Sequence, residues 1–369
     1  MSYKIGLICM KGCEEFGEKV HYYLKHWRRT ENSLLVPIEC PRFATGEGKG
    51  IILESIRGKD IFIITDFFNY SVTYKMHGQI VPMSPDEHYQ DLKRIITAIA
   101  GRASRVTLIM PMLYEGRQHR RTYRESLDCA VSLIELVNMG ISNIITFDAH
   151  DPRVDNAIPL CSFDNIQPTY QMIKAMVRTY PDIQFNANDT VIISPDEGGV
   201  SRCISYTSIL NLELGMFYKR RNLLQVVDGG NPIESHEYIG GDVSGRDVIV
   251  IDDMISSGGS LITTFRDLKL RGAKRIFAFI TFGLFCKGSA EFDAAFAEGV
   301  FDRIFITNLI YTPEELLSKA WVASVDLSKY TAYIIDSINR EKSVGAIIDP
   351  NKKIKTLLAK KRTDLTQEK

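Results

Sequence analysis

The chain has 369 residues, of which 45% are apolar and 24% are charged, and its 45 basic and 45 acidic side chains cancel to a formal charge of zero. That length exceeds one typical domain and favours two compact units. A balanced charge excludes a global basic field, so we expect neither nucleic acid nor a membrane as a partner.

The first residues carry a short apolar run without the long apolar core or the cleavage site of a signal peptide. No apolar stretch reaches the roughly 18 residues of a membrane span. Among the seven cysteines, Cys9 and Cys13 form the one close pair, and their spacing matches no common zinc pattern. Dispersed thiols are typical of a reducing compartment, so we expect a cytoplasmic protein.

Seven short runs rich in β-branched residues predict strands, and segments with helical periodicity lie between several of them. One such helix, Arg124–Met139, carries four apolar residues on one stripe. Near-continuous apolar strands that alternate with helices predict an α/β fold whose mostly parallel sheets are flanked by helices. The stripe consists of Leu127, Val131, Ile134 and Val137. The predicted strands are Ile61–Thr65, Val106–Pro111, Asn143–Ala149, Thr190–Pro195, Asp247–Asp253, Arg275–Phe282 and Arg303–Thr307.

The alternating pattern runs twice along the chain. Turn residues and a proline in Ser162–Tyr170 place the boundary there, which gives an N-terminal domain of residues 1–165 and a C-terminal domain of residues 166–345. Residues 346–369 are polar and lysine-rich, which is typical of a solvated tail. A basic interaction arm is the alternative for this tail.

The clearest local motif is Asp247–Leu261, in which a buried strand ends in two adjacent carboxylates, Asp252 and Asp253. Small residues then open a helix, where backbone N–H groups and the positive helix N-terminus can bind a phosphate. Because carboxylates suit sugar hydroxyls, the motif predicts a phosphorylated sugar at the carboxyl edge of a parallel sheet. A plain turn with Ser256 as a helix cap is the alternative. The small residues are Ser256, Ser257, Gly258, Gly259 and Ser260.

This segment resembles the phosphoribosyl-diphosphate motif of phosphoribosyltransferases and of ribose-phosphate diphosphokinases (PRPP synthetases), two families that share a fold. Further resemblances in the same order favour the second family, and they run from about residue 40 to residue 345. An insertion near Tyr70–Tyr89 has no counterpart in the family pattern. The matching segments are Arg42–Glu47, Glu54–Ile64, Gly116–Arg121, Asn138–His150, Ile158–Asn165, Ile193–Arg202 and Phe217–Asn222.

The resemblance implies two domains of the phosphoribosyltransferase type and the transfer of diphosphoryl from ATP to ribose 5-phosphate, giving PRPP and AMP. It implies a mobile catalytic loop that carries Lys219 and Arg221. The lysine is a point charge and the arginine is a fork-shaped donor, and both would bind the negative charge that builds up on the oxygens of the β-phosphorus. The implied ATP contacts are Phe43, Thr45, Glu47, Arg117 and Gln118, and the implied ribose 5-phosphate contacts are Asp252, Asp253 and residues 256–260. A core aromatic for Phe43, a surface loop for Arg117 and a solvated basic run at Lys219 are the alternatives.

The resemblance also implies Mg²⁺, with His150, Asp148 and Asp196 as its ligands. Magnesium prefers oxygen ligands and keeps several waters, so an imidazole ligand needs substrate phosphates to complete the octahedron. A purely structural histidine is the alternative for His150. A homo-oligomer built from dimers, often a hexamer, is implied as well.

Several positions depart from the family pattern, including serines in place of the threonines of the sugar-phosphate loop. Thr45 stands where the family has an aspartate, which removes an acceptor for the exocyclic amine of adenine. His119 replaces a second aspartate, and Ser256 replaces the third aspartate of the sugar-phosphate loop. We favour a divergent active synthetase, because the other implied catalytic residues are present together. A non-catalytic regulatory subunit and a phosphoribosyltransferase are the alternative functions.

Overall fold

The computed structural model describes residues 3–221 and 233–367, and it divides into two compact units. The first unit comprises Met1–Pro168, Asn308–Tyr311 and Asp326–Asp349, and the second comprises Thr169–Thr307, Thr312–Val325 and Pro350–Lys369. The chain therefore returns to the first unit twice after residue 300, whereas the predicted C-terminal domain ran without interruption to residue 345.

The described residues form strands and helices throughout both units. The strands are β1 (Ile5–Cys9), β2 (Ile38–Glu39), β3 (Ile51–Ile52), β4 (Asp60–Ile64), β5 (Thr73–Met76), β6 (Gln79–Pro82), β7 (Arg105–Ile109), β8 (Asn143–Phe147), β9 (Ser162–Ile166), β10 (Thr190–Ser194), β11 (Glu213–Arg221), β12 (Ile233–Ile239), β13 (Asp247–Ile255), β14 (Arg275–Gly283), β15 (Arg303–Thr307) and β16 (Val322–Val325).

The helices are α1 (Glu14–Arg28), α2 (Pro85–Ile99), α3 (Asp128–Asn138), α4 (Thr169–Thr179), α5 (Val200–Leu210), α6 (Gly259–Leu270), α7 (Ala290–Ala297), α8 (Glu314–Leu317), α9 (Ser328–Asn339), α10 (Gly345–Ile348) and α11 (Asn351–Gln367), with a 3₁₀ helix over Pro152–Ala157. No helix in the described part of the chain has both the length and the apolar character that a bilayer crossing requires.

The first unit is built on a five-stranded sheet in the order β1-β4-β7-β8-β9. All four pairings are parallel, and Ile61 of β4 lies opposite Val106 of β7. Every residue of β4 is buried. Strands covered on both faces read as continuous apolar runs, which is why the sequence identified the central strands of this sheet.

The second unit contains a seven-stranded sheet in the order β12-β11-β10-β13-β14-β15-β16. The edge strand β12 runs antiparallel to β11, and the other pairings are parallel. Val250, Phe265 and Trp321 belong to the apolar core on one face of this sheet. The seven predicted strands all occur as β4, β7, β8, β10, β13, β14 and β15. The predicted fold class, α/β with mostly parallel sheets between helices, is confirmed.

The predicted helix at Arg124–Met139 occurs as α3 (Asp128–Asn138), but its apolar stripe does not face the core. Cys129, Leu133 and Leu136 are buried, whereas Val131 is 59% exposed and Ile134 is 43% exposed. Both sets of residues recur at helical spacing, so periodicity alone did not identify the side that packs on the sheet.

Two segments near the C-terminal end also differ from the prediction. Helix α9 belongs to the first unit, where Asp336 pairs with Arg28 of helix α1 at 2.7 Å and Tyr333 stacks on Trp27 at 4.2 Å. The predicted solvated tail, residues 346–369, contains helix α11 instead. Ile354 of this helix is fully buried, which fixes it against the second unit.

The predicted insertion near Tyr70–Tyr89 forms a hairpin followed by the start of helix α2. Strands β5 and β6 pair antiparallel and are joined by His77 and Gly78, with φ of 49° and 79°. Two central residues with positive φ are typical of a type I′ turn, whose twist matches that of a hairpin. Ser84 then caps helix α2 in a reciprocal capping box with Glu87.

Asp66, a buried carboxyl just beyond strand β4, predicts a measurable pH dependence of stability. Its oxygens accept the N–H groups of Phe68 at 2.9 Å and Tyr311 at 2.6 Å, yet burial raises the pKa of Asp66 to about 6. The pKa of Asp66 in the folded state lies above the ordinary value of 3.8. The stability that this carboxyl contributes to the folded protein is therefore fully present below pH 3.8. The contribution is lost as the pH rises through about 6.

We expect the melting temperature of the wild type to exceed that of Asp66→Asn most at pH 4, and the difference to shrink by pH 7. A shift in the pKa of Asp66 from 3.8 to about 6 corresponds to a change in the free energy of unfolding on the order of 3 kcal/mol. Thermal melts at several pH values measure it, with the exposed Asp155→Asn as the control. A difference between the wild type and Asp66→Asn that stays constant with pH would contradict this account.

Candidate active site

The paired carboxylates lie where strand β13 passes beyond its neighbour β10. Strand β13 continues to Ile255, so the predicted strand end at Asp253 is corrected by two residues. Pairing with β10 stops at Val250, whereas pairing with β14 continues past Asp252. Asp252 and Asp253 are thereby placed at the carboxyl edge of the sheet, the usual location of ligand sites in this architecture.

Electrostatically, the two carboxylates oppose each other's ionisation. The Asp253 N–H donates to Oδ1 of Asp252 at 2.9 Å, and the Asp253 side chain is only 4% exposed. Burial first, and then the charge of Asp253, raise the pKa of Asp252 well above its ordinary value. A ligand that brings hydrogen-bond donors or positive charge would restore the ionised form.

Arg202 faces both carboxylates, and the sequence analysis gave it no role. Its Nη1 lies 3.7 Å from Oδ1 of Asp252, and its Nη2 lies 3.9 Å from Oδ2 of Asp253. The Arg202 side chain is 9% exposed, on the first turn of helix α5. The signal that could have identified it is its place in the turn after β10, the strand next to the paired carboxylates.

The turn after strand β13 requires glycine. Gly258 has a φ of 88°, and a Cβ at this position would lie 2.3 Å from the ring of Phe292. Gly258 is also the N-cap of helix α6, so the alternative that Ser256 caps this helix is not supported. Ser256 instead accepts the N–H of Cys286 on its carbonyl at 2.8 Å, and its Oγ lies 3.9 Å from the Cys286 Sγ.

Asp196 lies in the turn between strand β10 and helix α5, in the same unit as the paired carboxylates. Its Oδ1 accepts the N–H of Gly199 at 3.2 Å, and its carbonyl accepts the Ser194 hydroxyl at 2.6 Å. The charge of Asp196 also contributes to raising the pKa of Asp252, after burial and Asp253. The structure therefore brings Asp196 and the predicted sugar-phosphate residues to one end of the sheet.

The structure places Lys219 and Arg221 in strand β11 rather than in a loop, which corrects the prediction. Backbone pairing with β12 sets Lys219 opposite His236 and Arg221 opposite Ile233. This pairing explains the difference, because a polar sequence can form a strand when a partner strand satisfies its backbone groups. Residues 222–232 and the side chains of these two cations lie outside the described part of the chain.

In the first unit, the predicted nucleotide loop is a tight turn over Phe43–Glu47. The Phe43 N–H donates to the Glu47 carbonyl at 2.7 Å, and Gly46 has a φ of 94°. The Thr45 hydroxyl donates to the Glu47 carboxylate at 2.9 Å. Phe43 is 58% exposed, so the alternative of a core aromatic is wrong and its ring is available for stacking.

Arg117 and Gln118 lie in the loop after strand β7, with different surroundings. Arg117 is exposed. The Gln118 amide nitrogen donates to the Ser126 carbonyl at 2.9 Å, which fixes the loop from within. The exposed Arg117 side chain is thus accessible to a phosphate. Gln118, in contrast, makes a structural contact within the loop that the sequence did not indicate.

Asp148 and His150 follow strand β8. Asp148 is buried with a φ of 42°, a left-handed backbone that is uncommon outside glycine and tends to occur at functional sites. His150 is exposed, and its ring centroid lies 5.5 Å from that of His119. The Nε2 of His119 lies 3.4 Å from Oδ2 of Asp151. His119, which departs from the family pattern, therefore contacts the predicted metal-binding turn.

The predicted metal ligands do not form a ready-made metal cage. Among residues 3–221 and 233–367, no three histidine, cysteine, aspartate or glutamate side chains are grouped closely enough to hold an ion. Asp196 does lie beside carboxylates whose mutual repulsion a cation would relieve. This donor set fits Mg²⁺, which is commonly held by one or two carboxylates together with water and substrate phosphates.

Two family models match successive parts of the chain. The N-terminal domain of ribose phosphate pyrophosphokinase matches residues 5–140, and the phosphoribosyl transferase domain matches residues 162–293. A ribose-phosphate pyrophosphokinase of Parasynechococcus marenigrum (strain WH8102) is 32% identical over 282 residues, which cover 76% of this chain and 76% of that protein. This chain belongs to the ribose-phosphate pyrophosphokinase family.

Other ribose-phosphate pyrophosphokinases cover more of the chain. That of Vibrio cholerae serotype O1 is 29% identical over 312 residues, 84% of this chain and 90% of its own length. In fold, the chain resembles the phosphoribosylpyrophosphate synthetase from Mycobacterium smegmatis, with a TM-score of 0.74 at 21% identity over 92% of this chain and 99% of that one. The predicted family, its phosphoribosyltransferase-type fold and the enzyme class, a transferase, are confirmed.

The turn at Gly258 provides a test of this geometry. We expect Gly258→Ala to lower stability by about 1–3 kcal/mol, because the new Cβ would meet Phe292 and the positive φ would strain an alanine. Gly259→Ala is the matched control, since a Cβ there meets nothing within 4 Å. Melting temperatures of both variants measure the difference, and equal values would show that the turn is placed incorrectly.

Proposed function

We propose that this family member transfers diphosphoryl from ATP to the C1 hydroxyl of ribose 5-phosphate, forming PRPP and releasing AMP. One observation carries this proposal: a half-buried and a buried carboxylate, adjacent at the carboxyl edge of a parallel sheet, precede a glycine turn and a helix N-terminus. That arrangement suits a sugar and its phosphate together, because the carboxylates accept hydroxyl donors and the helix end attracts the anion.

Ribose 5-phosphate would bind across strand β13 and helix α6. Asp252 and Asp253 would accept hydrogen bonds from the ribose hydroxyls, which would offset the burial and the repulsion that raise the pKa of Asp252. The 5-phosphate would bind the backbone N–H groups and hydroxyls of residues 256–260. Ser256 supplies a hydroxyl where the family has a carboxylate, so it is suited to donate to the phosphate.

ATP would bind the turns of the first unit. The exposed ring of Phe43 would stack on adenine, and the exposed Arg117 would pair with phosphate oxygens. Thr45 and Glu47, joined by their own hydrogen bond, would line the edge of the base. Gln118 would hold the loop that carries Arg117 and would approach the nucleotide through its remaining oxygen.

Lys219 and Arg221 would be the catalytic cations. The C1 oxygen of the sugar forms a bond to the β-phosphorus as the bond from that phosphorus to the AMP oxygen breaks, and the hydroxyl proton passes to solvent. Charge on the phosphoryl oxygens grows during this displacement, so cations that bind it in the transition state accelerate the step.

Mg²⁺ fits the acidic groups around this chemistry. Asp148 and His150 are the proposed ligands in the first unit, and Asp196 is the proposed ligand in the second. Mg²⁺ held at either place would neutralise charge on the phosphates. We further propose a homo-oligomer built from dimers. All seven cysteines are free thiols, which supports a reducing, cytoplasmic location.

One assay separates the candidate functions. Purified protein with Mg²⁺, ATP and ribose 5-phosphate should form AMP and PRPP, and AMP formation should require the sugar phosphate. Tight ATP binding without AMP would indicate the non-catalytic regulatory subunit, which the substitutions at Thr45 and Ser256 favour. Base-dependent release of pyrophosphate from supplied PRPP would indicate a phosphoribosyltransferase.

Lys219→Ala tests the catalytic cation. We expect kcat to fall by about 10²- to 10⁴-fold while the melting temperature changes little, because the lysine acts mainly on transition-state charge. Arg220→Ala, which removes a neighbouring cation without a predicted role, is the matched control. Near-normal turnover of Lys219→Ala would show that the catalytic residue has been misassigned.

Asp252→Asn tests the sugar site by separating activity from stability. We expect KM for ribose 5-phosphate to rise by about 10- to 100-fold, because a hydrogen bond to a charged acceptor is lost. The melting temperature should hold or increase, since the substitution removes the repulsion between Asp252 and Asp253. The exposed Asp242→Asn controls for a general effect of charge. A lower melting temperature with unchanged KM would refute the assignment.

A further inference from the structure

We infer that the hairpin β5–β6 is a positioning element for the nucleotide loop Phe43–Glu47 and that Met76, at the end of β5, sets how tightly ATP binds. This hairpin lies in the insertion that has no counterpart in the family pattern. The inference rests on the proposed function only in that it takes the loop to bind ATP. It does not depend on turnover.

The turn of the hairpin is hydrogen-bonded directly to the loop. The His77 N–H donates to the Ala44 carbonyl at 2.9 Å. His77 and Gly78 form the two-residue type I′ turn, a geometry that fixes the direction of this N–H group. The hairpin thus supplies a backbone partner to a carbonyl that lies directly after Phe43.

Met76 packs against the residue that gives the loop its shape. A Cβ built on Gly46 would lie 2.8 Å from the Met76 Sδ, so the thioether is in contact with this glycine. Gly46 has a φ of 94° and donates its N–H to the Phe43 carbonyl at 2.9 Å. Movement of the turn toward the hairpin is therefore blocked, and movement away would lose the contact.

The base of the hairpin holds the other end of the loop. The Tyr74 ring lies 5.0 Å from the Arg42 guanidinium, and the Tyr74 hydroxyl donates to Glu87. Arg42 also donates to Asp91 at 2.9 Å, with both side chains less than 10% exposed. Because Arg42 directly precedes Phe43, the hairpin restrains the chain on both sides of the stacking residue.

Such restraint matters because the loop is small and exposed. Ordering a flexible residue costs conformational entropy, and a loop ordered in advance binds its ligand without that cost. Loss of the Met76 contact should therefore weaken binding of the nucleotide that stacks on Phe43. Ribose 5-phosphate, which the proposed function assigns to the second unit, should bind as before.

Met76→Ala and Ile80→Ala form a matched pair for the test. Both remove an apolar side chain from the same hairpin, but Ile80 is 70% exposed and pairs with Lys75 away from the loop. Calorimetric titration with Mg·ATP should give a Kd about 5- to 20-fold weaker for Met76→Ala and unchanged for Ile80→Ala. The Kd for ribose 5-phosphate and the melting temperature should be close to wild type in both.

Met76→Leu should restore binding to within about twofold, because the two side chains have similar volumes. Wild-type ATP affinity in Met76→Ala, or equal losses in both variants, would overturn the inference. Absence of ATP binding by the wild type would also overturn it. If the wild type binds ATP but forms no AMP, and Met76→Ala still binds more weakly, the proposed catalysis fails while the inference stands.

Discussion

The site depends on one unfavourable interaction, the close approach of the half-buried Asp252 and the buried Asp253 at the end of strand β13. Each buried charge costs several kcal/mol unless it is paired. Arg202 faces Asp252 and Asp253 at 3.7 and 3.9 Å, which is longer than the 2.7–2.9 Å of close ion pairs elsewhere in the chain, such as Arg28–Asp336 and Arg42–Asp91. Burial and the charge of Asp253 still raise the pKa of Asp252, so a polyhydroxylated ligand that donates hydrogen bonds would stabilise the ionised form.

Parallel topology is what brings the compensating groups to this point. Strands β10 and β13 are neighbours in the sheet, so the turn with Asp196 and the helix with Arg202 lie beside the paired carboxylates. Polar residues follow the carboxyl ends of parallel strands in the first unit as well, where Asp66, the loop with Arg117 and Asp148 come after β4, β7 and β8. A site of this kind requires only that polar residues follow buried strands, which a sequence can display.

The sequence therefore predicted the features that neighbouring residues determine. It did not predict the features that depend on contacts between residues far apart in the chain. The seven strands were identified because residues buried on both faces are apolar throughout. Residues 219 and 221 were placed in a loop because they are polar and the strand that pairs with them lies beyond residues 222–232. Helix α11 was missed because one buried residue, Ile354, stands among lysines. Arg202 was overlooked because its importance comes from carboxylates about 50 positions away.

The departures from the family pattern are accompanied by local contacts. The Thr45 hydroxyl donates a hydrogen bond to Glu47, and the hairpin donates a backbone hydrogen bond to the same turn. The Ser256 carbonyl accepts the Cys286 N–H, and the Ser256 hydroxyl lies near the Cys286 thiol. Each altered turn is thus ordered by its own contacts. The paired carboxylates meanwhile keep an arrangement that costs stability, and replacing a buried charge pair with apolar residues is often stabilising. A costly arrangement inside well-ordered turns is typical of a working site, so the physical chemistry favours an active enzyme over a regulatory relative.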